Sequence, residues 1–160
     1  MKLLYKRLNG QDGHTAGREL LEDLYGAPLP EIAYTKLGKP YFEGSDLHFS
    51  ISHTPKHAFC VLSDRPVGID AEETDRNIRL DLANKILSPA EMEQFSMTDD
   101  PRLALLKFWV LKEAAGKCTG EGMQPWPNHT SFSLDDPRIQ EIDGCFVAII
   151  ENDKPSTASK

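Results

Sequence analysis

The feature that most restricts this chain is Val67-Gly68-Ile69-Asp70-Ala71-Glu72, answered about forty residues later by Trp109-Val110-Leu111-Lys112-Glu113-Ala114-Ala115-Gly116-Lys117. Val67 and Ile69 alternate with Gly68 and Asp70, so the first stretch reads as an extended strand with Asp70 and Glu72 on one face. The second stretch has no Pro and favours helix, which places Trp109, Glu113 and Lys117, spaced by four, on a common face. A helix laid across the strand end would bring three carboxylates and a lysine together. Oxygen-only ligation suits Mg²⁺ far better than Zn²⁺. Gly68 favours such a crossing, because a glycine inside a strand often marks close approach by another group. Without the crossing, Asp70 and Glu72 are a solvated strand end running into Glu73-Thr74-Asp75.

At 160 residues the chain is expected to form one domain that buries most of the surface its unfolded state exposes. No run of about twenty apolar residues exists to span a membrane. The apolar stretch in Met1–Arg7 is too short for a signal peptide, so a cytoplasmic protein is expected. Cys60, Cys118 and Cys145 are odd in number and have no C-x-x-C spacing, which argues against a disulfide framework. Cys60 and Cys145 sit in apolar runs and read as buried thiols. A net charge of −7 opposes nucleic-acid binding. An acidic protein partner would need a local basic patch, for which Lys85, Arg102, Lys107 and Lys112 are candidates, or else solvated helix charges.

The segment up to Gly13 reads as a strand and turn, with Asn9-Gly10 and Asp12-Gly13 as turn signals. Thr15 is placed to cap a helix over roughly Ala16 to Tyr25, ended by Gly26 and Pro28. Gly38-Lys39-Pro40-Tyr41 is a turn into extended chain, since Pro40 pushes Lys39 out of the helical region. His48–His53 and Ala58–Leu62 read as a hairpin, with Ser52 and His53 at a strand end. Leu80–Leu87 is expected to be helical. Ser88-Pro89-Ala90-Glu91 reads as a capping box opening a short helix to Phe95. Asp99-Asp100-Pro101 starts the long helix, with Leu103, Leu106 and Val110 inward and Trp109 packing it on the sheet. The helix weakens at Gly116, before a loop at Thr119–Met123. Ser131–Leu134 and Cys145–Ile150 read as a second hairpin, a weak echo of the first about 85 residues earlier.

Three motifs now stand in order: Gly38-Lys39-Pro40 followed by Phe49-Ser50-Ile51-Ser52-His53-Thr54, then G-I-D-x-E ending at Glu72, then W-x-x-K-E-A-x-x-K ending at Lys117. Together they resemble the 4'-phosphopantetheinyl transferase superfamily, in particular its surfactin-synthetase-activating branch. The resemblance implies an α+β fold of two similar halves related by pseudo-twofold symmetry, about 1–68 and 69–152, with the active site at their interface and a polar tail over 153–160. It implies a monomer of the holo-[acyl-carrier-protein] synthase type that uses coenzyme A and Mg²⁺, with Mn²⁺ as a substitute. Such an enzyme moves the 4'-phosphopantetheine arm to a serine of an acyl or peptidyl carrier protein and releases adenosine 3',5'-bisphosphate. By the same resemblance, Asp70, Glu72 and Glu113 hold the metal against the pyrophosphate. Glu113, or a metal-bound water that it positions, is the general base, Lys117 steadies the departing phosphate, and Lys39, Ser52 and His53 hold the nucleotide end. Arg18 is a phosphate contact or a surface arginine; Lys112 is a phosphate contact or structural.

The chain departs from the branch's pattern at the front, where only about thirty-seven residues precede G-K-P. Either Lys6, Arg7 and Arg18 substitute for the missing part of the adenine and 3'-phosphate site, or coenzyme A affinity is poor. Two other readings remain at this stage: a member of the same fold that binds a carrier protein or coenzyme A without transfer, and a Mg²⁺-dependent phosphohydrolase.

Overall fold

In the computed structural model, which describes residues 1–122 and 130–153, alternating apolar strands and two long helices form an α+β fold. The loop reading at Met123, the Pro125–Pro127 segment and the tail from Lys154 lie outside the described residues. The chain opens with strand β1 (Lys2–Arg7) and helix α1 (Gly13–Tyr25). This helix starts a turn earlier than the sequence suggests, because Asp12 rather than Thr15 is its cap, its carboxylate accepting from the Thr15 backbone N–H at 2.8 Å. Gly26, at φ 74°, ends it as expected.

A small ribbon of β2 (Ile32–Tyr34) and β3 (Pro40–Phe42) leads to the hairpin of β4 (His48–His53) and β5 (His57–Ser63). β1 pairs antiparallel with the other side of β5, giving the order β1-β5-β4. Next comes β6 (Val67–Glu73), and then helices replace the ribbon. The region expected to be one helix is a 3₁₀ turn at Leu80–Leu82 and a short α2 (Ala83–Ile86). The capping box is formed at the start of α3 (Pro89–Met97), with the Ser88 side chain accepting from Glu91 N–H and the Glu91 carboxylate accepting from Ser88 N–H. Asp100 caps α4 (Pro101–Thr119), which passes through Gly116 and ends at Gly120.

The second hairpin differs from its expectation. Ser131–Leu134 is not a strand: the Phe132 N–H donates to Glu91 Oε1 at 2.8 Å and the Leu134 N–H to Gln94 Oε1 at 3.1 Å. Side chains of α3 thus take the donors that a ladder would need. The partner of β8 (Cys145–Glu151) is β7 (Ile139–Ile142), turned by Asp143 and Gly144, both at positive φ, as a tight two-residue hairpin requires. The second sheet runs β6-β8-β7, so in each three-stranded sheet the chain's first strand pairs with the third and the third with the second.

The two sheets meet where β4 lies beside β6. No backbone ladder is recorded there among the described residues. Instead, the Ile69 N–H donates to Ser50 Oγ and the Ala71 N–H to Ser52 Oγ, both at 3.1 Å, and Thr54 Oγ1 donates to Glu73 Oε1 at 2.7 Å. Phe59 and Val61 from β5, Val67, Ile69 and Ala71 from β6, and Cys145 and Val147 from β8 seal the junction. Separate cores lie under α1 and under α4.

Candidate active site

Apolar Val67 and Ile69 bury into the junction between the sheets, which leaves Gly68, Asp70 and Glu72 on the face towards α4. The crossing is so close at Gly68 that an added Cβ would sit 2.0 Å from the Ala114 carbonyl oxygen and 2.4 Å from the Cys118 nitrogen. One step along that face, Asp70 receives the Lys117 ammonium at 2.8 Å. One step further, the Trp109 side chain lies beside Glu72 and favours its charged form. Strand and helix therefore run antiparallel, and the spacing of two in one meets the spacing of four in the other.

Asp70 is only 6% exposed. Its Oδ1 accepts from Lys117 and, at 3.2 Å, from the Ser52 hydroxyl, whereas Oδ2 is buried with no hydrogen-bond partner among the described residues. An unpartnered buried carboxylate oxygen is costly, and a hard divalent cation is a partner that fits it. Burial pushes the Asp70 carboxyl up, with Lys117 pulling the other way. Burial also raises Glu72 and Glu113, and the Asp70 charge adds to each. These are electrostatic neighbours, yet among the described residues the group of three ligating side chains already drawn within 4.8 Å is a different one, His57, Glu73 and Cys145.

Arg76, which sequence reasoning missed, explains part of that openness. Its guanidinium pairs with Glu72 and lies 5.5 Å from the centre of the Trp109 ring. Trp109 therefore does more than pack the helix, since its ring backs the Arg76 guanidinium that pairs with Glu72. The only sequence signal was a cation four residues beyond Glu72, in a stretch with no regular period to give the spacing meaning.

The nucleotide-end candidates divide. Lys39 reaches the C-terminus of the helix that carries Glu113 and Lys117 and donates to the Cys118 carbonyl; burial lowers its pKa. His53 is exposed, packs on the Gly13 backbone at the start of α1, and meets the His14 ring edge-on at 4.7 Å between centroids. Ser52 departs from the expectation. Strand alternation turns it inward, 5% exposed, and its hydroxyl is committed to Asp70 and the Ala71 N–H. Arg18 is half exposed and pairs with Glu22 of its own helix at 3.3 Å, the surface-arginine alternative. Lys6 pairs with Glu19 and Arg7 with Asp143.

The expected basic patch is also altered. Lys112 is 4% exposed and ion-pairs with the fully buried Glu91 at 2.9 Å, while also donating to the Thr130 carbonyl. Arg102 donates to the carbonyls of Thr74 and Arg76 and is spent on holding that loop. Lys107 lies over the Phe146 ring. Lys112 is thus a structural lysine. Lys112→Met should cost about 3–5 kcal/mol in urea unfolding, because it leaves the Glu91 charge buried without its cation. An unchanged midpoint would refute that role.

A model of the 4'-phosphopantetheinyl transferase superfamily matches residues 66–157, from the turn before β6 onward. The chain belongs to this superfamily. Phosphopantetheinyl transferases are also its relatives by direct comparison. It is 30% identical to the 4'-phosphopantetheinyl transferase of Bacillus subtilis, over 81% of this chain and 62% of that protein. It is 30% identical to 4'-phosphopantetheinyl transferase gsp of Aneurinibacillus migulanus, over 78% and 53%. To 4'-phosphopantetheinyl transferase AcpT of Salmonella typhimurium it is 38% identical, over 66% and 57%. The chain thus spans more than half, but under two thirds, of the length of these transferases. The superfamily match contains Asp70, Glu72, Glu113 and Lys117. No helix among the described residues is long and apolar enough to cross a membrane.

Proposed function

We propose that this chain transfers the 4'-phosphopantetheine arm of coenzyme A to a serine hydroxyl of an acyl or peptidyl carrier protein, as a holo-[acyl-carrier-protein] synthase type enzyme of the cytoplasm. The observation that carries the reading is Asp70, whose Oδ1 is held by Lys117 and Ser52 while Oδ2 is left bare under α4. Asp70, Glu72 and Glu113 would hold Mg²⁺ or Mn²⁺, and the all-oxygen donor set fits either. Bound there, the cation supplies charge neutralisation on the pyrophosphate and orients it for in-line attack.

The chain's own groups account for the proton and the leaving group. The serine oxygen forms a bond to the phosphorus that bears the pantetheine arm, and the bond from that phosphorus to the bridging oxygen breaks. Glu113 accepts the serine proton as general base. Lys117 donates to the departing phosphate of adenosine 3',5'-bisphosphate. Lys39 and His53 would hold the nucleotide end, His53 from the end of β4 where it packs on the start of α1. The shared strand order of the two sheets supports two halves related by pseudo-twofold symmetry, with this site between them in a single monomeric chain.

Intact-mass spectrometry of apo carrier proteins incubated with the chain, coenzyme A and Mg²⁺ tests the reaction. A gain of about 340 Da, the phosphopantetheine arm attached through a phosphodiester, is expected on at least one carrier. Adenosine bisphosphate released without any carrier would replace transfer with hydrolysis. Coenzyme A binding with no mass gain across the panel would make the chain a binding protein.

The raised carboxyls also fix a pH dependence. A group whose pKa is raised by folding stabilises the fold below its unfolded pKa, and that stability is lost as pH rises through its folded value. Without metal, the Asp70, Glu72 and Glu113 carboxyls therefore weaken the fold as pH rises; a cation favours their charged forms and offsets this. The gain in Tm on adding Mg²⁺ should be larger at about pH 8 than at about pH 5. An equal gain at both would count against these ligands.

A further inference from the structure

His57 opens β5, Glu73 closes β6 and Cys145 opens β8, so the three come from both sheets and meet at the far end of their junction. His57 Nδ1 lies 3.3 Å from Glu73 Oε1 and 3.4 Å from Cys145 Sγ, all three residues are buried, and one ligand atom from each falls within 4.8 Å of the others. Ligands at zinc's usual bond lengths and tetrahedral angles stand about 3.3–3.6 Å apart, which the two contacts of His57 Nδ1 already match, the third pair lying within 4.8 Å. On the other side of the ring, His57 Nε2 faces Asp143 Oδ2 at 2.9 Å, and Arg7 holds that carboxylate in turn. Of the two carboxylates that face the ring, Asp143 is the nearer, which favours the proton on Nε2 and leaves the Nδ1 lone pair to ligate.

We propose that His57, Glu73 and Cys145 form a second cation site, distinct from the Asp70 cluster, that takes a zinc-class divalent ion and ties one sheet to the other. The mixed nitrogen, sulfur and oxygen set selects such an ion over Mg²⁺. A cleft of about 550 Å³, lined by Lys56, His57, Glu73, Asp75 and Asp143 among others, gives it a way in. Glu73 ligates through Oε1, which Thr54 already orients at 2.7 Å, while Oε2 stays with Lys56 at 3.2 Å. The same contacts do not make a Cys-His-Asp nucleophile. Cys145 is fully buried, and burial with the nearby Glu73 and Asp143 charges pushes its thiol up to about 12. On binding, that thiol gives one proton to solvent, so affinity should rise about tenfold per pH unit near neutrality.

The test is a Co²⁺ titration of the reduced, metal-free chain. A thiolate-to-cobalt charge-transfer band that saturates at one equivalent, is displaced by Zn²⁺ and persists in Asp70→Asn is the expected result. Cys145→Ala should abolish the band and Cys118→Ala should keep it. Asp143→Asn, which suits the same turn, should keep the band but weaken binding about 10–100-fold. Wild-type protein that is folded by circular dichroism yet gives no thiolate band overturns the proposal and leaves the cluster as a hydrogen-bonded tie. A band that survives Cys145→Ala overturns it equally.

Discussion

Asp70→Asn and Glu113→Gln should each lower phosphopantetheine transfer by about 100-fold or more while the chain stays folded. Asp70 is the sharper test. The amide keeps the size of the carboxylate and can still accept from Lys117, so the crossing of α4 over β6 has no steric reason to change. What disappears is the negative charge opposite Lys117 and the bare Oδ2 proposed to meet the cation. Mg²⁺ binding by calorimetry should weaken in parallel with transfer. In Glu113→Gln the base is lost as well as a ligand, so turnover should fall further than Mg²⁺ affinity does. Near-normal turnover in either variant, with carrier and coenzyme A saturating, would sink the assignment.

Gly68→Ala should damage both stability and activity. Replacing a strand glycine normally gains about 0.5–1 kcal/mol by reducing the freedom of the unfolded chain. Here the new methyl would stand 2.0 Å from one backbone atom of α4 and 2.4 Å from another, and neither can swing aside as a side chain would. Overpacking of this kind costs about 1–3 kcal/mol and outweighs the gain. The helix that must retreat carries Glu113 and Lys117, and a displacement of about 1 Å at such groups can cost about 100-fold in rate. Urea unfolding and the transfer rate should therefore fall together. A variant as stable and as active as the parent would mean that strand and helix do not touch there.

The close crossing was legible because glycine is the only residue that permits it, and because two periodicities, two and 3.6, put the partners in register. The capping box at Ser88 and the αL end at Gly26 were legible for the same reason: each is a short-range rule with few competing solutions. Failures came where long-range partners decided. Phe132 and Leu134 alternate like a strand, but Glu91 and Gln94 claim their N–H groups from about forty residues away. The informative signal was instead Asp143-Gly144, a two-residue turn between Ile142 and Cys145. Lys112 stood in a motif beside Glu113, yet the helix turns about 100° between them, which carries Lys112 to Glu91 in the core. Arg76 gave no pattern at all, since a loop has no period from which to read a facing direction.

The hydroxyls of Ser50, Ser52 and Thr54 recur every second residue along the edge that meets β6. A backbone ladder is indifferent to sequence, and almost any extended segment can add to it. This seam behaves more like a key in a lock. It accepts a strand whose Ile69 and Ala71 amides and Glu73 carboxylate arrive opposite three particular oxygen atoms, and a slip by one residue would set each hydroxyl against the wrong group and leave buried donors bare. The two sheets are thereby fixed in a single alignment, and the edge offers a stray strand from a neighbouring molecule no general template to copy.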